Sequence, residues 1–289
     1  MAWTKMHTAI VVGAVVLLAA GTATITFKQN RTRDTNSLTL TNSQNIKIIY
    51  SNKADKDYMA SVFALFKIKD SNAPDRMERY VDGAWALSKE YPSRPNGYQC
   101  IMEAITDYPF LGKPDRARAL AQELIDSSAP DNFKQWAKGF LYRLDSLGKP
   151  VEMQFTAVDG TDVDLVKMKG KVVLVYFWQG GELPQVKAAW EKYHAQGFEV
   201  IGISCNMGKT KFDEYFKQNK MLWPQYSEGK QANDNKFTLQ FGIDGIPYLF
   251  LVDKKGCLRF DDVDAKNYAN PKGDGTTFEQ KISKLLAED

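Results

Sequence analysis

Three cysteines are the residues of this chain best suited to covalent chemistry: Cys100, Cys205 and Cys257. A thiolate is a nucleophile, and two thiols whose Cα atoms lie within about 7 Å can form a disulfide. Three cysteines are too few for a disulfide framework. They are also too widely spaced for a local Cys-x-x-Cys pair. Thiol chemistry would therefore need one residue alone, or two that the fold brings together.

Histidine and aspartate give weaker candidates. The chain has 2 histidines, which excludes a His-rich metal site, and His194 is predicted to lie on an exposed helix face. Three aspartates alternate along a predicted hairpin and are expected on its exposed face: Asp159, Asp162 and Asp164. Residues 261–264 are spaced partly like a calcium loop but lack the glycine and glutamate that such a loop needs. We therefore expect no metal and no cofactor.

The strands around Cys205 determine where its thiol lies. Residues 171–178 form a continuous apolar run, which is typical of a central strand covered on both faces. A predicted helix over 183–196 leads into a second apolar strand, 198–204. Strand, helix and strand in this order predict a parallel pair with a right-handed crossover. Cys205 is thus expected at the same end of the sheet as Trp178.

Cys257 is predicted at the opposite end of that sheet. Residues 248–252 and 257–260 flank a turn and predict a hairpin whose first strand runs antiparallel to 171–178. Five strand residues at about 3.3 Å each place Cys205 and Cys257 roughly 15 Å apart. We expect no disulfide between them.

Further elements complete an α/β domain over 149–289. Two hairpin strands and two helices are predicted at 152–158, 161–165, 209–219 and 233–241. The hairpin turns at Asp159-Gly160, a strong two-residue turn signal. A last helix follows, with Thr276 and Glu279 spaced as a capping box.

A pattern of period 3.6 predicts an all-α module over 53–148. Four helices are predicted from Asp75 onwards, with Asp131 as the N-cap of the fourth. The fourth is expected to bury Phe133, Trp136, Ala137, Phe140, Leu141 and Leu144. Two helical hairpins spaced by about 39 residues indicate a short helical repeat of the tetratricopeptide kind. Cys100 lies in the second helix and is expected to be a small core residue.

Residues 8–27 carry no charge and are long enough to cross a bilayer, at about 30 Å. Small residues near Gly21 also fit a signal-peptide cleavage site, so residues 1–27 are predicted as a signal peptide or a membrane anchor. Residues 28–52 are predicted as a flexible linker, because they are rich in Thr, Asn and Ser. We favour export, although the basic residues that follow the span prefer the cytoplasmic side.

Composition excludes several classes of protein. Hydrophobic residues make up 44% and charged residues 25% of the 289, close to the globular average. That excludes a largely disordered, collagen-like or polytopic membrane protein. The net charge of +3, from 38 basic and 35 acidic residues, gives no case for a nucleic-acid-binding surface.

Short segments of the C-terminal half form a specific combination: Gly170-Lys-Val-Val-Leu-Val-Tyr-Phe-Trp178, Glu182-Leu-Pro184, Gly197-Phe-Glu-Val-Ile-Gly-Ile-Ser204, Trp223-Pro-Gln-Tyr226, Phe241-Gly-Ile-Asp-Gly-Ile-Pro247 and Leu251-Val-Asp-Lys-Lys-Gly256. In these segments, residues 149–260 resemble the TlpA-like thiol–disulfide oxidoreductases, a thioredoxin-fold family related to the AhpC/TSA group. The resemblance implies a thioredoxin-like (redoxin) domain, an envelope location, a tether, and electron exchange with protein cysteines.

The catalytic motif of that family is missing. In the family, the strand ending in Phe-Trp is followed by Cys-x-x-Cys at a helix N-terminus, whose partial positive charge favours a thiolate. Here Trp178 is followed by Gln179-Gly180-Gly181, and the family pattern resumes at Glu182. The loop is shortened and both redox cysteines are absent.

One residue of the family site remains. The resemblance implies that Pro247 is the cis-proline that faces the redox cysteines and offers backbone groups to an extended substrate. The groove beside it is predicted from Trp178, Gln179, Gly180, Gly181, Ile246 and Pro247. Cys205 is the cysteine expected nearest to this groove.

Two hypotheses about function follow. In the first, the protein is a redox-inactive pseudoenzyme of the cell envelope that acts in protein binding or scaffolding. Its partner is a protein or an extended peptide, and residues 8–27 connect it to the membrane. In the second, it is a divergent thiol–disulfide oxidoreductase or peroxidase that uses Cys205 as a lone catalytic thiol. We favour the first, because a fold confers no activity without its site.

Overall fold

The computed structural model describes residues 53–179, 184–205, 212, 214–216, 222–230, 234–261, 263 and 275–289. Ahead of residue 53 it assigns only the backbone of short strands, the longest being Asn36–Thr41. The predicted signal peptide or anchor (1–27) and linker (28–52) otherwise lie outside the described residues. In the described part of the chain, none of the helices has the length and apolar character needed to cross a bilayer. The chain divides into two compact units, Met1–Ala104 and Ile105–Asp289.

The predicted helical region is present between residues 53 and 145. Its helices are α1 (Lys53–Lys69), α2 (Arg76–Glu90), α3 (Asn96–Phe110), α4 (Pro114–Asp126) and α5 (Asp131–Asp145). Helix α1 was not predicted. Its buried residues Tyr58, Met59, Val62 and Leu65 keep helical spacing, but the lysines and aspartates among them weaken the apolar pattern.

The first unit is held together by close packing and by polar contacts, among them a cluster around Glu103. Gly83 of α2 lies against α1, where an added Cβ would come within 2.4 Å of the Leu65 side chain. Glu103 accepts hydrogen bonds from Lys69 Nζ at 2.9 Å and from Tyr80 Oη at 2.8 Å. Cys100 is buried in this unit, as predicted.

Helix α5, in the second unit, differs from its prediction at both ends. It begins at Asp131 directly after Pro130, and no side chain caps it, so Asp131 is not the N-cap. Near the C-terminus, Arg143 is buried, whereas Leu144 is half-buried. Leu141 was also predicted to be buried and is half-buried. Arg143 turns inward instead, because its guanidinium finds acceptors in the C-terminal domain.

The C-terminal domain has a thioredoxin-like fold with a mixed sheet. Its strands are β1 (Gln154–Thr156), β2 (Asp162–Asp164), β3 (Val172–Trp178), β4 (Phe198–Ser204), β5 (Gln225–Tyr226), β6 (Tyr248–Val252) and β7 (Leu258–Phe260). Strands β1 and β2 form the predicted hairpin. The other five form a sheet in the order β5-β4-β3-β6-β7, with β3 parallel to β4 and antiparallel to β6.

Both faces of the sheet are covered, because alternate side chains of the fully buried strand β3 enter two different cores. Val173, Val175 and Phe177 pack with the β1–β2 hairpin and with helix α7 (Lys236–Phe241). The remaining side chains of β3 pack with helices α6 (Pro184–Tyr193) and α8 (Phe278–Ala287). Strand β3 therefore fixes the position of the residues at its C-terminal end, Trp178 and Gln179.

Helix termini follow local side-chain chemistry. Asn235 caps α7 by accepting hydrogen bonds from the backbone N–H groups of Phe237 and Thr238. Helix α8 has a capping box, but Thr277 and Gln280 form it, one residue later than the predicted pair Thr276 and Glu279. Both pairs have the spacing of a capping box. Because the helix begins at Phe278, Thr277 is the N-cap and Gln280 is its partner.

Candidate functional site

One end of the sheet brings most of the predicted site residues together. The backbone N–H of Cys205 donates to the carbonyl of Trp178 at 2.8 Å. On the other side of β3, Tyr248 pairs with Phe177, so Pro247 is next to the end of the same strand. The peptide bond Ile246–Pro247 is cis, as the resemblance implies. Gln179 is exposed at this end, and Gly180 and Gly181 lie outside the described residues.

Trp178 belongs to the core below this end. Its side chain is fully buried, and its indole N–H donates to Gln225 Oε1 at 2.9 Å. The Gln225 side chain covers Gly202, where an added Cβ would come within 2.0 Å of the same oxygen. A partner would therefore meet Gln179 rather than the indole. The role of Gln225 was not predicted from the sequence. The one feature that pointed to this residue is that it lies in the segment Trp223-Pro-Gln-Tyr226, which carries part of the family resemblance.

Cys205 is buried in the core on the other face of the sheet. It is 0% exposed and packs in the cluster that contains Phe177 and Tyr248. Burial raises the pKa of the Cys205 thiol to about 12, and the backbone of Trp178 offsets only part of that rise. The thiol is therefore protonated at neutral pH, and the thiolate is the nucleophilic form. This thiol is poorly placed to act as a nucleophile.

The other two cysteines do not complete a redox pair. Burial also raises the pKa of the Cys100 thiol to about 12. Cys257 is half-buried, and burial together with the nearby Asp253 carboxylate raises its pKa. It lies at the far end of β6, where its backbone N–H donates to Asp253 Oδ1 at 2.9 Å. All three cysteines are free, which confirms the predicted absence of a Cys205–Cys257 disulfide.

A cavity of about 430 Å³ opens beside the cis-proline. The loop Asp244-Gly245-Ile246-Pro247 forms one wall, and side chains of α3 and α5 form the other. The apolar part of the second wall includes Phe110, Phe140 and Leu144. Two residues of the predicted groove, Ile246 and Pro247, thus border a real concavity.

Arg143 of α5 organises the polar floor of this cavity. Its Nε donates to the Phe241 carbonyl at 2.7 Å, and its Nη1 donates to Tyr248 Oη and Asp261 Oδ2. Tyr248 Oη in turn donates to Asp261 Oδ1 at 2.7 Å. Burial alone would lower the pKa of Arg143, but Tyr248, Asp261 and Asp244 raise it above its ordinary value. The guanidinium is therefore a fixed, buried cation.

Two glycines let α5 approach this closely. A Cβ on Gly139 would lie within 2.0 Å of the Leu239 carbonyl oxygen, and a Cβ on Gly242 within 2.2 Å of the Phe140 backbone nitrogen. Gly242 also has a φ of +59°, which favours glycine. Sequence reasoning missed this contact. The sequence feature that could have indicated it is Gly139, because a glycine inside a helix is unfavourable unless another part of the backbone packs against it.

The remaining titratable candidates lie elsewhere. His194 is exposed, as predicted, and its ring stacks on Trp190 with centroids 4.3 Å apart. Asp164 caps a short 3₁₀ turn by accepting from the Val166 N–H at 3.0 Å. Among the residues that the structure describes, no group of three or more His, Cys, Asp or Glu side chains could hold a metal ion.

Comparison with known proteins agrees with this fold. Residues 170–258 match the family model described as Thioredoxin-like. The chain is 29% identical over 105 residues to "Probable nucleoredoxin 2" of Oryza sativa subsp. japonica, covering 34% of this chain and 26% of that protein. It is 25% identical over 107 residues to the thiol-disulfide oxidoreductase ResA of Bacillus thuringiensis (strain Al Hakam), covering 35% of this chain and 60% of that protein.

Among solved structures, the chain is similar to the thioredoxin domain of a thiol-disulfide oxidoreductase from Bacteroides vulgatus. The TM-score is 0.38 at 22% identity, over 48% of this chain and 97% of that one. The chain thus spans between about a quarter and three fifths of the length of the two relatives named above. The family match and the sequence relatives identify residues 170–258 as a thioredoxin-like domain that is similar to the domains of thiol-disulfide oxidoreductases.

Proposed function

We propose that this protein is a redox-inactive member of its family that binds an extended peptide segment of a protein partner beside Pro247. One observation carries the proposal. The sheet end that bears the family's chemistry holds a single cysteine, Cys205, whose thiol is fully buried and has a pKa of about 12. Gln179 and Pro247 are both exposed at this sheet end, which supports binding of a partner there.

The location of the protein is part of this proposal. We infer that it works in the cell envelope, exported or anchored through residues 8–27, because that stretch is uncharged and long enough to span a bilayer. Protease treatment of cells whose cytoplasmic membrane is intact tests this. When the protease has access to the outer side of that membrane, it should digest the C-terminal domain without lysis of the cells. Digestion only after lysis would contradict it.

The redox part of the proposal is tested with the full chain in mild detergent. We expect no reduction of insulin disulfides and no consumption of hydrogen peroxide above the buffer rate, in either the wild type or Cys205→Ser. Activity that disappears in Cys205→Ser would overturn the proposal and establish the lone-thiol hypothesis.

The binding part is tested by selecting a displayed library of random peptides on the full chain. Gly245→Trp is the blocking variant, because nothing lies within 4 Å of an added Cβ there and the residue borders the cavity. Gln122→Trp, on an exposed face of α4, is the matched control. We expect selected peptides to bind the wild type and the control but not Gly245→Trp. Selection that fails to distinguish the three proteins would contradict a peptide site here.

A further inference from the structure

The charged residues that line the cavity beside the cis-proline loop favour some peptide side chains over others. Its charged lining residues are Arg143, Asp244 and Asp261, which together carry one more negative than positive charge. The cation is out of reach, because only 6% of the Arg143 side chain is exposed. Asp244 is exposed, and 22% of the Asp261 side chain is. A ligand that enters the cavity therefore meets carboxylate oxygens rather than the guanidinium.

Helix α3 contributes apolar surface to the same cavity. Pro109 and Phe110, at the end of this helix, both line it.

The apolar surfaces fit the stem of a long side chain. Phe110 is 45% exposed at the wall, and Leu144 and Ile246 are half-buried beside it. Lysine and arginine combine an aliphatic stem with a terminal cation, so they can cover such surface while the charge remains at the polar end. A glutamate would bring its carboxylate towards Asp244, and a leucine would bring no positive charge towards it.

We propose that this cavity receives a lysine or arginine side chain of the peptide that binds beside Pro247. The inference rests on the proposed function, since the peptide must first lie along the cis-proline loop. Phe110 supports the stem of the side chain, and Asp244 is the carboxylate that the cation approaches. Arg143 acts as a positioning residue that holds Asp261 in place.

The test uses peptides of alternating Val and Thr, with blocked ends and a fluorescent label, that differ only at one central residue. That residue is Lys, Arg, Leu or Glu, and binding to the full chain is followed by fluorescence anisotropy. We expect the Lys and Arg peptides to bind about three- to fivefold more tightly than the Leu peptide, the range for one partly exposed ion pair, with the Glu peptide weakest.

Variants assign the effect to the cavity. Asp244→Asn should abolish the preference for Lys over Leu, whereas Asp126→Asn, an equal charge change at the end of α4, should preserve it. Phe110→Ala should weaken all four peptides. Binding that is equal for Lys, Leu and Glu, or a preference that survives Asp244→Asn, would overturn the inference and leave the proposed function standing. Absence of binding by every peptide, both here and in the library selection, would overturn both.

Discussion

A thiol reacts in proportion to its thiolate fraction and its access to solvent, and Cys205 is low in both. It lies where a redox cysteine would be useful, at the end of the sheet beside the cis-proline. Its side chain nevertheless points into the core that α7 and the β1–β2 hairpin cover. At the residue scale, position in the fold and chemical reactivity are therefore separate properties, and the proposed function depends on Cys205 having the first without the second.

Alkylation of the native chain should follow burial. With iodoacetamide at neutral pH, we expect Cys257 to be labelled first, because it alone of the three cysteines is not fully buried. Cys100 and Cys205 should be labelled only after denaturant is added. Peptide mass spectrometry of timed samples measures the order. Early labelling of Cys205 would show that its sheet end opens in solution.

Alkaline pH should destabilise the fold through its buried thiols. Burial raises the pKa of Cys100 and Cys205 from 9.0 to about 12, so the unfolded chain releases these protons at lower pH than the folded chain. The free energy of unfolding should therefore be fully maintained below about pH 9 and fall as pH rises towards 12. Cys205→Ala should show a shallower fall in denaturant titrations at a series of pH values. Identical slopes for both proteins would contradict this.

At the scale of elements, α5 is an integral part of the C-terminal domain. Its backbone touches α7 at Gly139, and Arg143 replaces the hydrogen bonds that the end of α7 would otherwise make with water. The chain then continues into the sheet, since Leu147 and Pro150 form isolated bridges with Leu258 and Cys257. One wall of the candidate site is thus supplied by a helix outside the region that matches the family model.

The glycine contact can be tested by adding one methyl group. Gly139→Ala places a Cβ within 2.0 Å of a backbone oxygen, which cannot move as a flexible side chain would. We expect the free energy of unfolding to fall by about 2 kcal/mol or more, within the range for overpacked cores. Gly245→Ala is the matched control, because an added Cβ there meets open space. Equal stability of the two variants would show that α5 does not pack this closely.

At the scale of the whole molecule, the sequence predicted the strands of the C-terminal domain better than the contacts of α5 with that domain or the presence of α1. The apolar run of β3 and the strand–helix–strand order were enough to place Cys205, and the predicted hairpin at 248–260 was enough to place Cys257 at the opposite sheet end. The Gly139 contact and the Arg143 network could not be predicted, because each joins residues about 100 positions apart and neither has a local pattern. Helix α1 was missed for a different reason: charged residues interrupt its apolar stripe.

Fragments of the chain test where the folded domain begins. A fragment of residues 149–289 matches the domain predicted from sequence but lacks Gly139 and Arg143. We expect its free energy of unfolding to be lower than that of 105–289 by about 3 kcal/mol or more, because apolar side chains of α7 that α5 covers, such as Phe241, become exposed to water, at about 1.5–3 kcal/mol each. Chemical denaturation followed by tryptophan fluorescence measures both. Equal stability would mean that α5 is dispensable.

The hydrogen bonds of Arg143 can form in the nascent chain only after their acceptors have been synthesised. Arg143 is synthesised 98 residues before Phe241 and 118 residues before Asp261. At roughly 5–20 residues per second, its acceptors emerge from the ribosome roughly 5–25 s later. During that interval the apolar stripe of α5 has no surface of the C-terminal domain to cover it. A chaperone that holds exposed helices would therefore act on this protein while its second half is still being translated.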